Sequence, residues 1–194
     1  PSPPRRLNQP FLSGTGNILR LLSNPAGEMV PLYQQLTHRQ LTLVGYGLAV
    51  LANLCFVTGG MQHLATDSWL MASQLWAAGG LTFVAMVLSV ASARVWLSIR
   101  GLWVADIFIL GSALVPLGVL FILTALIQAA NTSSAPLLIL LAILWAFSHT
   151  LITLYSGFAR IQAFPDRIAA WLTPVVLAIG IAAGVGTWRY LSGL

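Results

Sequence analysis

The chain has 194 residues, of which 58% are hydrophobic and 7% charged, with a mean hydropathy of +0.87 and a net charge of +5. A water-soluble domain carries about a quarter charged residues, so an ordinary soluble core is excluded and an all-α, polytopic membrane helix bundle is predicted. Every basic residue is an arginine, and the arginines lie in short segments between apolar runs, not in one patch with stacking aromatics; nucleic acid is therefore excluded as a partner.

Residues 1–14 are proline-rich with Arg5 and Arg6, the composition of an extended cytoplasmic tail. No apolar run follows those arginines as a signal peptide would require. The chain opens on Pro-Ser-Pro-Pro, not on methionine, so further residues are expected upstream. Residues 15–40 form an interfacial amphipathic segment. Within it, Asn17–Ser23 is too short to span and fits a surface helix with Arg20 at the headgroups. Asn24-Pro25 then caps and restarts a second surface helix that runs through Leu32, Tyr33 and Leu36 to Gln40 and feeds the first span.

Residues 41–194 are predicted to form a membrane domain with five spans, at about 41–58, 69–93, 103–128, 136–158 and 168–188, each near the 20 or so apolar residues that cross a bilayer. Gly59-Gly60 closes the first span, which contains Asn53 and Cys55. A single cysteine rules out an internal disulfide and a cysteine-based zinc site, and reads as a small buried hydrophobe. The second span has no charge, and Arg94 and Arg100 bracket the link that follows it. The third carries Asp106 near its start and Pro116 near its middle. A polar turn, Asn131–Ser134, leads to Pro136 and the fourth span. Arg160, Asp166 and Arg167 then mark the link to the fifth, which holds Pro174.

Five spans place every arginine except Arg189 on one side of the membrane. The positive-inside rule makes that side cytoplasmic, with the N-terminus inside and the C-terminus outside. Trp69, Trp96, Trp103, Trp171, Trp188 and Tyr190 fall where interfacial aromatics belong.

Asp106 is the residue most suggestive of chemistry, because an acid inside a span is costly. Its place about one turn from the cytoplasmic end favours a structural pairing with Arg94, Arg100 or a backbone group. A proton or ion relay would need a second titratable group at the same depth. His149 of the fourth span is offset from it by roughly 7–8 Å at 1.5 Å per residue, whereas Tyr155 is level with it and is the better geometric partner. His149 itself is expected to make an interhelical hydrogen bond in the company of Ser148, Thr150 and Thr153. His38, His63 and His149 do not match in depth, which argues against b-type haem. Neither a partnered nucleophile serine nor an HExxH pair is present, so no catalytic, cofactor or metal residues are assigned and no enzyme is predicted. Small residues at Gly45, Gly47, Ala77–Gly80 and the Gly180/Gly184 pair suit close helix packing, inside the bundle or against a partner. Pro116 and Pro174 are expected to kink or locally open their helices.

Three stretches resemble the Yip family, the Ypt-interacting proteins and their bacterial relatives. NILRLLSNPAGEMVPL is similar to the family's amphipathic lead-in, DIFILGSALVPLGVL to its third-span pattern of acid, small-residue patch and proline, and LWAFSHTLITLYSGFARIQAFP to the end of its fourth span. The likeness runs from about Ile18 to the C-terminus and implies five spans with a cytoplasmic N-terminus. Eukaryotic members are associated with small GTPases; the all-arginine usage and short loops here look bacterial, and GTPase binding is not carried over.

The expected function is that of a non-enzymatic, Yip-type protein of a bacterial cytoplasmic or derived internal membrane, acting as a membrane-organising or assembly partner. Its partners would be the lipid bilayer and other membrane subunits or further copies of itself. Two other readings stand beside it: an accessory subunit of a respiratory or photosynthetic complex, and a small-solute or ion transporter using Asp106, Tyr155 and His149.

Overall fold

The computed structural model describes residue 20 and residues 24–65, 68–99, 101–130 and 133–193. The predicted tail, the surface helix at 17–23 apart from Arg20, and Arg100 lie outside them. The described residues form six helices: α1 (Pro25–Gln35), α2 (His38–His63), α3 (Trp69–Trp96), α4 (Trp103–Ala129), α5 (Ala135–Arg160) and α6 (Asp166–Ser192). Helices α2 to α6 are each long and apolar enough to cross a membrane, which makes the chain an integral membrane protein built as an all-α bundle. They overrun the predicted spans because an apolar run marks only the hydrocarbon slab. Backbone hydrogen bonding continues through the polar residues at either end.

Local chemistry sets the helix starts. The Asn24 side-chain carbonyl accepts from the Gly27 N–H at 3.1 Å, with Pro25 in the first turn of α1. The surface helix expected to continue to Gln40 instead stops at Gln35. Leu36 is extended, and Thr37 opens α2 with a reciprocal cap: Thr37 Oγ1 accepts from the Gln40 N–H, and Gln40 Oε1 accepts from the Thr37 N–H at 2.9 Å. Satisfying two orphan donors at once favours a new helix here over prolongation of the old one. Met29 and Leu32 of α1 are buried, and Tyr33 packs on Phe108 of α4 with ring centroids 6.3 Å apart.

The bundle is organised around α4. Some 61% of its apolar window is buried by the rest of the chain, against 22–33% for the other four long helices. The close neighbour along its whole length is α2, and small residues explain the approach. A methyl on Gly45 would sit 2.7 Å from the carbonyl oxygen of Ile107, and one on Gly59 would enter the backbone at Phe121. From the other side, Gly111 faces the backbone of Gly45, and Gly118 that of Ala52. Gly45, Ala52 and Gly59 on α2, like Gly111 and Gly118 on α4, recur every seven residues. That repeat keeps one face towards a partner along a left-handed crossing. Gly59-Gly60, read as a terminator, is therefore part of a contact surface, and α2 continues through it to His63. Buried residues that can meet backbone to backbone keep van der Waals contact where no water drives association.

A second layer pairs α3 with α6. Gly180 lies against Met86 and Gly184 against Thr82, so this GxxxG pair is used inside the bundle. At the ends of the same helices Gln74 Nε2 donates to the Leu191 carbonyl at 2.8 Å. Gly47, by contrast, has open space beside it. Both α4 and α6 remain helical through Pro116 and Pro174. Helix α5 joins the core only through its second half, where Thr150 Oγ1 donates to the Ala113 carbonyl of α4 at 3.0 Å and Leu154 and Phe158 are fully buried.

Candidate functional site

The α3–α4 and α5–α6 turns meet at the end of the bundle that carries Arg94 and Arg160. Helix α3 ends in a Schellman-type closure: the Ile99 N–H reaches back to the Arg94 carbonyl at 3.0 Å and the Ser98 N–H to that of Val95 at 3.2 Å, with Ser98 left-handed at φ 54°. At the end of α5 the Ile161 and Gln162 N–H groups both reach the Gly157 carbonyl, the Phe164 N–H reaches that of Phe158, and Ala163 is left-handed at φ 54°. These two non-glycine turns tuck Arg94 and Gln162 inward, where both are buried.

Between them lies Asp106, in the first turn of α4 and with no exposed surface. Arg94 Nη2 pairs with one carboxylate oxygen and Gln162 Nε2 donates to the other. The Gln162 amide also reaches the Leu102 carbonyl at 3.3 Å. Gly101 makes room for this assembly: a methyl there would collide with Gln162 Oε1 and approach Arg94 Nη1 to 2.9 Å. The guanidinium carbon lies 5.9 Å from the centre of the Trp103 ring, and the Arg94 Nε, also buried, has no hydrogen-bond partner among the described residues. Outside the spans, burial first and the Asp106 carboxylate second hold the Tyr33 hydroxyl above its ordinary pKa.

The arrangement is electrostatically closed. An isolated carboxylate in an apolar environment is prohibitive, and pairing with hydrogen bonding to both oxygens is what makes the charge tolerable. The helix N-terminus adds a favourable dipole. Three helix ends and two turns are thereby tied to one carboxylate.

Of the residues singled out in the sequence, the structure brings together Asp106 and Arg94. Arg100 lies outside the described residues. Tyr155, expected to be the better partner for Asp106, turns the other way: its side chain is half-exposed and its hydroxyl donates to Asp166 at 3.4 Å across the α5–α6 turn. Equal depth did not give contact, because rotation about the helix axis points Tyr155 towards α6 and not α4. His149 stacks beside Trp145 of its own helix, with ring centroids 5.5 Å apart. The Thr150–Ala113 bond sets that turn of α5 about two helical turns beyond Asp106, roughly 10 Å at 1.5 Å per residue, so His149 and Asp106 share no proton path by direct contact. Of its predicted companions, Thr153 returns its hydroxyl to the His149 carbonyl. Gln162 was not anticipated. Its signal was a polar amide next to Arg160 in a link otherwise made of apolar and charged residues, and nothing in the sequence says that such an amide turns inward.

A second polar cluster sits at the opposite end. His63 lies in the last turn of α2, not in the following link, with Nδ1 2.8 Å from Gln128 Oε1 and Nε2 2.9 Å from Thr124 Oγ1 of α4. It fastens the far ends of the central pair. Beyond the core, the first half of α5 is left uncovered by the described residues: Leu137, Leu138, Leu140, Leu141, Ile143, Leu144 and Trp145 are all exposed, and they fall on every side of the helix.

Comparison of the chain with protein-family models, curated proteins and solved structures finds no match in any of the three. The class rests on the fold itself: an integral membrane bundle of five long apolar helices, with an internal ion pair closing one end.

Proposed function

We propose that the protein is a non-enzymatic assembly partner of a membrane, similar in type to the Yip family, that organises other membrane helices against its uncovered α5. The observation that carries this reading is the contrast along α5. Its second half is packed by α1, α4 and α6. Its first half carries bulky apolar side chains on all faces with no helix of the described chain beside it. A helix that docks by only half its length leaves a rod of apolar surface, and small-scale van der Waals packing by a neighbouring helix is the interaction a membrane offers such a surface. The engagement of Asp106 by Arg94 and Gln162 supports a structural role for the intramembrane acid over a relay. The arginine distribution supports a cytoplasmic placement of the Arg94–Asp106 end in a bacterial membrane.

Site-specific cross-linking from Leu140→Cys and Leu144→Cys in native membranes, with Cys55 replaced by alanine, tests the reading. Adducts with a membrane subunit or with a second copy are expected from both positions, and none from Leu88→Cys on exposed α3. Cross-linking to lipid alone, with a monomer on purification in mild detergent, would overturn it.

A further inference from the structure

We propose that the recess beside the α3–α4 turn is a binding site for the phosphate of an anionic phospholipid headgroup. The recess, of about 430 Å³, is lined by Ala91, Arg94, Val95, Ser98, Gly101 and Trp103 among others. Three features of this wall point to a phosphate. Arg94 is 5% exposed, and its Nε–H has no acceptor among the described residues. A buried donor left unmade costs about 1–3 kcal/mol, which an acceptor arriving from outside would remove. Asp106 does not fill that need, because it is engaged through Nη2 and its other oxygen is held by Gln162. The exposed hydroxyl of Ser98 stands on the same wall, and in the sequence Arg100 falls between Ile99 and Gly101, both of which line it.

The surroundings select a lipid over a soluble anion. Val95 and Trp96 are 81% and 86% exposed, and Trp103 is 55% exposed. Indole rings exposed at the end of apolar helices mark the headgroup level, and Ala91 and Val95 give the glycerol and first methylenes an apolar wall. The carboxylate of Asp106 lies behind the guanidinium with no exposed surface, so it neutralises Arg94 without standing in the mouth of the recess. The ion pair therefore orients the arginine, leaving one edge of it to a phosphate oxygen. The inference depends on the bundle lying in a membrane and is independent of what covers α5.

The test is native mass spectrometry of the full chain released from mild detergent with equal amounts of phosphatidylglycerol and phosphatidylethanolamine. One bound phosphatidylglycerol is expected, preferred about tenfold, the effect of one charge-assisted hydrogen bond. Ser98→Asp places a carboxylate at the mouth, at an exposed left-handed position that Asp tolerates, and should bring the preference to parity. Arg94→Lys keeps a cation for Asp106 but has a methylene in place of Nε–H, and should do the same; if it fails to fold, Ser98→Asp decides alone. Ser192→Asp, at the opposite end, should leave the preference intact. An unchanged preference in Ser98→Asp, or equal loss in Ser192→Asp, would overturn the site. Displacement of the lipid by an equal concentration of inorganic phosphate would overturn the assignment to a lipid.

Discussion

Replacing Asp106 by asparagine separates a structural ion pair from a relay more cleanly than any other single change. The side chain keeps its shape, and its carbonyl can still accept from Gln162 Nε2. Towards Arg94 it can present only an amide, so a charged guanidinium that cannot deprotonate is left with 5% exposure and no counter-ion. Removing one partner of a buried pair costs about 3–5 kcal/mol. The lower end applies here, because Arg94 lies in the last turn of α3 and can relax part of the way towards the headgroups. The expected outcome is a loss of about 3 kcal/mol in reversible unfolding in mixed micelles, with a matching fall in membrane abundance. The double variant Asp106→Asn with Arg94→Met, which removes the charge and keeps the aliphatic volume, should recover most of it, since replacing a whole buried pair by apolar groups is often neutral. A relay predicts the opposite: normal stability and abundance for Asp106→Asn, with loss of flux only. Wild-type stability in the single variant, or a double variant as damaged as the sum of both singles, would refute the structural account.

Gln162→Leu should destabilise the protein by about 1–3 kcal/mol by orphaning one Asp106 oxygen, and Gln162→Glu by more, because it sets a second carboxylate against the first; the same unfolding assay checks both. Gly111→Ala drives a methyl into the Gly45 backbone and should prevent normal assembly of α2 on α4. Gly47→Ala meets nothing and should be neutral or mildly stabilising by up to about 1 kcal/mol, from helix propensity. Expression and melting temperature of the pair separate the two faces of α2. The raised pKa of Tyr33 favours its neutral form in the folded state, so its contribution to stability is full below the ordinary tyrosine value and is lost as pH rises through the folded one. Ultraviolet titration should show one late-ionising tyrosine that is missing in Tyr33→Phe and earlier in Asp106→Asn. His63→Ala should loosen the far ends of α2 and α4 by about 1 kcal/mol, read as faster hydrogen exchange around Thr124 and Gln128.

The membrane class and the five long helices were legible in the sequence because both follow from local quantities: apolar length against bilayer thickness, and the scarcity of charge between the links. The Asn24 cap was readable for the same reason, as was the marginal depth of Asp106. The Thr37 to Gln40 box was equally local and shows how a polar spacing of three residues can divide what hydrophobicity alone joins. Gly59-Gly60 went the other way. In isolation the pair reads as a stop, and only the presence of α4 alongside reveals it as a contact surface. The seven-residue spacing of small residues was in the sequence, but nothing local says that α2 and α4 face one another.

Which polar side chains meet was decided by tertiary structure alone. Depth along a helix can be counted from sequence, whereas rotation about its axis is set by packing; Tyr155 sits near the depth of Asp106 and still faces Asp166. Gln162 reaches Asp106 because two left-handed turns, at Ser98 and Ala163, fold their links inward, a choice made by the helices those links must join. Composition alone determined that this chain belongs in a bilayer, since burial in lipid depends on how much of each segment is apolar. The ion pair, the recess beside it and the uncovered half of α5 depend on which segments become neighbours, and that is settled only when the helices pack.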